Sequence, residues 1–297
     1  MRFYDRLERE TRQGQIGVRG PDIIARTLSE ARPVGASRTP WQYHSRSDHH
    51  SKLSCWAIAF DLLSTSSLLR RHVDEGKVTI GVNHEMVDFK LNRKKNLDLV
   101  IARRTDGPTS TKPTTLAEIA ERVGAVLSDE ERAEFEVLPE VEKLPVGSVL
   151  VALEAKACMT EHRKSEPRLY DELNSSQQTI HGAADQAVAV GLVMVNIAAT
   201  FVSPGLQKAG NEPVVTQHNQ PGVTESVIRK IRELPRRTTT GTEGFDALGI
   251  IVIDLTNDGS PVKIVTEPPA PQPSDPDTYA NMVMRAANLY DFRFAAM

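Results

Sequence analysis

The sequence is poor in cysteine and in long apolar runs. Cys55 and Cys158 are the two cysteines among 297 residues, and no CxxC or Cys/His spacing surrounds them. We therefore expect neither a disulfide framework nor a structural zinc site. The longest apolar stretch, 187–202, contains Asn196 and Thr200 and lacks the run of roughly 20 apolar residues that is typical of a membrane-spanning helix.

An excess of one charge is also missing. The chain has 36 Lys and Arg against 39 Asp and Glu, a net charge of -3, which does not by itself indicate a nucleic-acid-binding protein. Residues 1–10 are charged and lack the apolar core of a secretory signal, and no P-loop or GxGxxG motif occurs. We expect a cytoplasmic protein with no membrane partner and no nucleotide cofactor.

The charges are distributed unevenly along the chain. Residues 1–46 contain nine Arg, no Lys and five acids, which predicts an arginine-rich N-terminal arm over 1–50. Residues 90–104 carry six basic side chains and one acid, and 229–237 carry five and one. Residues 129–142 carry seven acids and one Arg, which we interpret as a solvated helix face.

Apolar periodicity predicts a mixed protein of the α/β or α+β class. The predicted elements are a helix at 52–73, a hairpin of 86–91 with 97–102, a strand at 147–157, a helix at 166–188, a strand at 191–202, a second hairpin of 249–254 with 261–266, and a final helix at 277–290. Strands that alternate with helices in this order predict a central mixed β-sheet flanked by helices.

Two acids and a lysine stand out on predicted neighbouring strands. Asp98 follows the turn of the first hairpin, and Glu154 and Lys156 end the apolar strand that comes later. Because side chains alternate along a strand, Glu154 and Lys156 project from the same face. Charges at the end of an apolar strand need a partner, and Mg²⁺ with its preference for oxygen ligands is a suitable one. The bland alternative is that these residues are ordinary charges at strand ends and on the hairpin.

At these residues the sequence resembles the PD-(D/E)xK nuclease superfamily, the fold of type II restriction endonucleases. The resemblance covers about 52–202, although Leu97 replaces the nominal proline and 56 positions separate Asp98 from Glu154. It implies a restriction endonuclease-like core within a nuclease domain over 51–297, with C-terminal additions from about residue 203.

The resemblance also implies roles for individual residues. Asp98, Glu154 and the backbone carbonyl of Ala155 would bind Mg²⁺, with Mn²⁺ as a substitute, and Lys156 would assist the attacking water. Some nucleases of this superfamily add an acidic ligand from the N-terminal region, and Glu85 is a candidate for it, although a surface turn residue is the simpler interpretation. The implied activity is hydrolysis of phosphodiester bonds by a metal-dependent endodeoxyribonuclease.

Double-stranded DNA is the expected partner, since Arg and Lys supply most phosphate contacts. Eight basic residues are the candidate DNA contacts: Lys90, Arg93, Lys94, Lys95, Arg229, Lys230, Arg236 and Arg237. Cleavage of both strands needs two active sites, so a homodimer is expected. A type II restriction or anti-phage defence enzyme is the first interpretation. The alternatives are a repair, recombination or transposition nuclease of the same fold and a catalytically silent DNA-binding protein.

The tripeptide Asp48-His49-His50 is similar to the signature of a phosphoesterase family. That signature needs a buried strand before it, whereas residues 44–47 here have the composition of a loop. We therefore interpret the tripeptide as part of an arm that touches phosphate.

Overall fold

The computed structural model describes residues 17–34, 39–88, 91–106, 114–204 and 214–297. Its helices are α1 (Gly20–Ser29), α2 (His49–Thr65), α3 (Ser67–Asp74), α4 (Leu116–Val123), α5 (Asp129–Glu136), α6 (His162–Ala183), α7 (Gly222–Arg232) and α8 (Tyr279–Arg293). Its strands are β1 (Arg32–Val34), β2 (Thr39–Trp41), β3 (Val78–Asp88), β4 (Arg93–Arg104), β5 (Thr114–Thr115), β6 (Glu142–Lys143), β7 (Val146–Cys158), β8 (Val188–Asn196), β9 (Thr200–Ser203), β10 (Val214–Gln217), β11 (Ala247–Asp254) and β12 (Lys263–Val265). Lys90 and residues 1–16 of the predicted arm lie outside the described residues.

Six strands form the central sheet, in the order β12-β11-β8-β7-β4-β3. Strands β3, β4 and β7 are antiparallel neighbours, whereas β7, β8 and β11 are parallel neighbours. Parallel neighbours need long crossover connections, and these contain α6 between β7 and β8 and α7 between β8 and β11. The predicted mixed sheet flanked by helices is confirmed.

Helices cover both faces of the sheet. Helices α1, α2, α4 and α8 share one apolar cluster with one face, and α6 and α7 share a second cluster with the other. All nine residues of β8 are buried. Strands covered on both sides are apolar throughout rather than alternating, which explains the continuous apolar run in this part of the sequence.

The helix predicted over 52–73 is in fact two helices, α2 and α3, that separate at Ser66. The Ser66 hydroxyl accepts a hydrogen bond from the backbone N–H of Leu69 at 2.9 Å and thereby caps α3. Helix α2 begins three residues earlier than predicted and is buried along almost its whole length. It is buried because α1, α4, α8 and the sheet surround it.

Part of the predicted arm belongs to the core, and its arginines pair with glutamates of the acidic segment 129–142. Apolar side chains of α1 are fully buried. Arg19 Nε contacts Glu134 at 3.1 Å, and Arg26 contacts Glu131. Because both glutamates are buried, the interpretation of 129–142 as a purely solvated face is wrong for them. These two segments of opposite charge stabilise each other within the chain.

The chain beyond residue 203 completes the central sheet. Strand β11 pairs with β8, and β12 pairs with the far side of β11, as the second predicted hairpin requires. Helix α8 then packs on the sheet beside α2. Among the helices that the structure describes, none combines the length and apolar character needed to cross a membrane.

Candidate active site

Strands β4 and β7 separate at one end of their shared register. The last pair in that direction joins Leu99 to Leu153, so Asp98 and Glu154 are the next residues on the two diverging strands. We call the region of Asp98, Glu154, Ala155 and Lys156 the β4–β7 fork. The structure thus brings together the two acids and the lysine that the sequence pattern singled out.

Both carboxylate oxygens of Asp98 are held by hydrogen bonds. The Ser51 hydroxyl donates to Oδ1 at 2.9 Å, and the backbone N–H of Ala155 donates to Oδ2 at 3.2 Å. Burial raises the pKa of Asp98, and these two donors partly oppose the rise. Asp98 is therefore fixed in one position by α2 on one face of the sheet and by β7 at its side.

Glu154 is almost completely buried, with 2% of its surface exposed. Its Oε1 lies 2.9 Å from Lys156 Nζ and accepts a 3.3 Å hydrogen bond from the Ser176 hydroxyl on α6. Its Oε2 is also buried, and no hydrogen-bond partner for it exists among the described residues. Burial raises the pKa of Glu154; Lys156 lowers it, and the charge of Asp98 raises it further.

Lys156 is a permanent positive charge at neutral pH. Burial lowers the pKa of its ammonium group, but Glu154, Asp98 and Glu172 outweigh that effect and raise the pKa above the usual value. The Nζ atom lies 3.7 Å from Glu172 Oε2 on α6. Lys156 can therefore donate hydrogen bonds and stabilise negative charge, whereas a lysine that accepts protons would need a lowered pKa.

The donor set at the fork fits a magnesium ion. Mg²⁺ keeps several waters and is usually bound by one or two carboxylates, and the oxygens that the fork offers are those of Asp98, Glu154 and the Ala155 carbonyl. The buried and unpartnered Glu154 Oε2 is an oxygen of the kind that such an ion binds. In the part of the chain that the structure describes, no group of three or more His, Cys, Asp or Glu is arranged to hold a metal. The alternative that Glu154 is a surface charge at a strand end is wrong, since its side chain is buried.

The remaining candidates on the first hairpin lie along its exposed part. Glu85, on β3, lies opposite Asn96 of β4, and its carboxylate contacts Lys94 at 3.4 Å. Arg93 is exposed and contacts Gln178 on α6. Lys95 Nζ reaches the Glu172 carbonyl at 3.5 Å and contributes to the electrostatics of Glu154. Lys95 is thus a basic residue of the hairpin whose charge acts on Glu154 at the fork.

The basic residues of the 229–237 segment fall into two classes. Arg229 is exposed, and Lys230 contacts Glu233 at 2.7 Å and lies 4.6 Å from the centre of the Tyr170 ring. Arg236 is partly buried, donates to the Leu248 carbonyl at 3.0 Å, and has its pKa lowered to about 10 by burial. Arg237 is fully buried and paired with Asp185, so the prediction that it contacts DNA is wrong.

Arg237 belongs to a charge cluster that we call the amino-edge network: Asp185, Arg237, His181, Asp246 and Arg293. Within it Arg237 and Asp246 are buried, and Asp185 is exposed. Asp246 precedes β11, and its Oδ2 accepts from the backbone N–H of Ala189 near the start of β8 at 2.8 Å. The network therefore lies at the amino ends of two parallel strands. It joins α6, α8 and the sheet through partnered charges.

Three contributors to the fork were not identified from the sequence: Ser51, Glu172 and Ser176. Ser51 lies before the helix that we predicted, whereas the real helix begins at His49. Glu172 and Ser176 are four residues apart, the spacing that places both on one face of α6. A polar pair at helical spacing after the Glu154 strand was therefore present in the sequence, but it is not distinguishable from a solvated helix face without the fold.

No family model, no curated protein and no solved structure matches this chain.

Proposed function

We propose that the protein is a Mg²⁺-dependent DNA endonuclease whose active site is the β4–β7 fork. The observation that carries this proposal is the buried Glu154 Oε2, which has no hydrogen-bond partner among the described residues and belongs to a carboxylate next to Asp98 at the fork. Leaving a buried carboxylate oxygen unpaired is unfavourable for folding, which favours a ligand role over a structural one.

The order of elements also supports the proposal. A helix, an antiparallel hairpin with Asp98, a strand with Glu154 and Lys156, a crossover helix and a parallel strand occur in this order as α2, β3–β4, β7, α6 and β8. Helix α3 is inserted before β3, and β5, α4, α5 and β6 are inserted between β4 and β7. This is the order that the resemblance to the PD-(D/E)xK superfamily implied. A restriction or defence role and a homodimer remain predictions from the sequence.

The residues of the fork have distinct roles in this proposal. A divalent cation, when bound, would neutralise charge on the scissile phosphate and make water a better nucleophile. Asp98 and Glu154 would hold that cation, and Ser51 and Ser176 would keep their carboxylates in position. Lys156 would orient the attacking water through its ammonium hydrogens and stabilise the charge that develops on the phosphate. Lys95 and Arg93 would contact the DNA backbone.

A plasmid-cleavage assay tests the proposal. Supercoiled DNA incubated with the protein and Mg²⁺ should be nicked or linearised, and EDTA should prevent this. Glu154→Gln and Asp98→Asn should each reduce the rate by more than the roughly 100-fold that is typical of residues that only support metal ligands.

The matched control is Asp171→Asn, which alters an exposed carboxylate on α6 beside Glu172. It should cleave at the wild-type rate. A Glu154→Gln protein with full activity would refute the assignment of the site, and wild-type protein without Mg²⁺-dependent cleavage of any DNA form would refute the function.

A further inference from the structure

A cleft of about 300 Å³ opens beside the fork, between the β1–β2 hairpin and the start of α2. Arg32, Trp41, Tyr43, His49 and His50 are among the residues that line it. The cleft and the fork are linked by two consecutive residues of α2. His50 lines the cleft, and the next residue, Ser51, donates its hydroxyl hydrogen to Asp98. The charge of Lys156 also acts on the His50 imidazole.

The walls of the cleft are anchored to the body of the protein. The Gln42 side chain donates to the Ser260 carbonyl at 2.8 Å and accepts from the Gly259 N–H at 2.9 Å. The backbone of Tyr43 exchanges two hydrogen bonds with the Asn257 side chain, at 2.9 and 3.1 Å. The cleft is therefore preformed, as binding sites for small ligands usually are.

The cleft presents flat, uncharged rings. The Tyr43 and His50 rings lie 5.1 Å apart between centroids and are tilted by 53°. Burial lowers the pKa of His50 to about 4 and also lowers the pKa of His49, so both imidazoles are neutral at pH 7. With Trp41, these residues form aromatic surfaces of the kind on which nucleic-acid bases stack.

One hydrogen-bond donor in the cleft region is left over. Among the described lining residues, Arg32 alone carries a permanent charge. Its Nη2 donates to the Gly124 carbonyl at 2.9 Å, whereas its Nε is buried and has no acceptor in the described part of the chain.

Other ligands fit the cleft less well. A single permanent cation is a poor match for a phosphate-binding site. A metal ion is also disfavoured, because His49 Nε2 already bonds to the Val123 carbonyl at 2.8 Å. A volume of about 300 Å³ is at the lower end for small-molecule sites, which suits one base and its sugar but not a base pair within a duplex.

We propose that the cleft binds one unpaired base of a DNA strand, stacked on Trp41 and Tyr43, while a neighbouring phosphate of that strand lies at the fork. The inference rests on the proposed nuclease function and adds the substrate class. The DNA is single-stranded, or locally unpaired, where it enters the site.

Trp41 emission reports on this binding directly, without cleavage. The other tryptophan, Trp56, is fully buried and supplies a constant background. In EDTA, the protein is titrated with a short single-stranded oligodeoxynucleotide and, separately, with an abasic strand of the same length and charge. The strand with bases should quench Trp41 saturably and bind about 5- to 150-fold more tightly than the abasic strand.

Substitutions at Tyr43 then test the stacking surface. Tyr43→Leu should remove most of the difference between the two strands, and the matched control Tyr43→Phe should retain it. Equal affinity for both strands, or no quenching of Trp41, would overturn the base-pocket proposal even if Tyr43→Leu failed to fold, since these measurements use the wild-type chain.

The outcomes separate the two proposals. Mg²⁺-dependent cleavage by a protein that binds both strands equally would leave the nuclease standing and refute the base pocket. Base-dependent quenching in a protein that cleaves no DNA would support the pocket and refute the nuclease.

Discussion

Two groups of buried charge lie in different parts of the same sheet, and they are built differently. In the amino-edge network, each Asp246 oxygen has a partner: Oδ1 contacts Arg293 at 2.5 Å, and Oδ2 accepts from the Ala189 N–H. At the fork, Glu154 has partners at Oε1 and none at Oε2 among the described residues. Both carboxylates are almost completely buried.

The complete pairing of Asp246 and the incomplete pairing of Glu154 imply different contributions of the two carboxylates to folding. A buried ion pair with complete hydrogen bonding holds its elements together, and removal of one partner leaves an uncompensated charge. A buried carboxylate with a spare oxygen weakens folding unless a ligand completes it. The comparison therefore predicts opposite consequences for substitutions in the two groups.

The largest expected effect is on stability, from Asp246→Ala. The change leaves Arg293 Nη2 and the Ala189 N–H without their acceptor, although Arg293 Nη1 keeps the Ala187 carbonyl. It should therefore lower the free energy of unfolding by about 3–5 kcal/mol. Urea denaturation followed by circular dichroism measures this loss.

The counterpart at the fork is Glu154→Gln, which keeps the shape of the side chain and removes the charge of the incompletely paired carboxylate. It should change the free energy of unfolding by less than about 1 kcal/mol, or raise it, in the absence of metal. If Asp246→Ala and Glu154→Gln destabilise the protein equally, the distinction between the two groups fails.

A smaller effect is expected from Ser51→Ala, which removes the hydroxyl that donates to Asp98 Oδ1 at 2.9 Å. Loss of a residue that positions a metal ligand typically weakens metal binding about 10- to 100-fold. Calorimetric titration with Mn²⁺ measures this change, and the cleavage rate at saturating metal should stay closer to wild type.

The control for Ser51→Ala is Ser54→Ala on the same helix, where the hydroxyl donates to the His50 carbonyl. Its metal affinity should equal that of the wild type. Equal losses in both variants would show a general disturbance of α2 rather than a positioning role for Ser51.

Another buried carboxylate, Asp61, has hydrogen bonds but no cationic partner in the part of the chain that the structure describes. It accepts from the backbone N–H groups of Arg19 and Gly20, both at 2.9 Å, and burial raises its pKa to about 7 from an ordinary value of 3.8. Between these values the folded state binds more protons than the unfolded state. The contribution of Asp61 to stability is therefore complete below pH 3.8 and is lost as the pH rises to about 7.

Asp61→Asn should remove that dependence. The difference in free energy of unfolding between wild type and variant should shift by about 1 kcal/mol or more between pH 4 and pH 8, in favour of the wild type at the acidic end. Chemical denaturation at a series of pH values measures it. A difference that does not vary with pH would contradict the raised pKa.

Much of the architecture was predictable because local patterns and packing agree. The strand predicted at 147–157 is β7, and the hairpin that carries Asp98 is longer than predicted, because residues 93–96, expected in the turn, belong to β4. The single helix predicted over 52–73 was wrong because Ser66 offers a side-chain cap that competes with continuation of the helix. Apolar periodicity alone does not register such a cap.

Basic residues were the least predictable part of the candidate site. Composition could not separate the exposed Arg229 from the buried Arg237, although the two are eight positions apart. Nor could it assign Arg19 and Arg26 to glutamates of α5 that are more than a hundred positions away. Long-range charge pairing depends on which elements pack together.

The sequence by itself determined the class of fold and the chemical identity of the fork, because strand periodicity and the charges of Asp98, Glu154 and Lys156 are local properties. Tertiary structure alone decided which charges are satisfied. The spare oxygen of Glu154 and the serine that fixes Asp98 arise where α2 and α6 meet the diverging strands from opposite faces. The aromatic cleft arises where the β1–β2 hairpin lies beside the start of α2. Burial and hydrogen bonding depend on neighbours that are distant in the chain. These neighbours distinguish Glu154-Ala155-Lys156 from the same common pattern on an exposed strand.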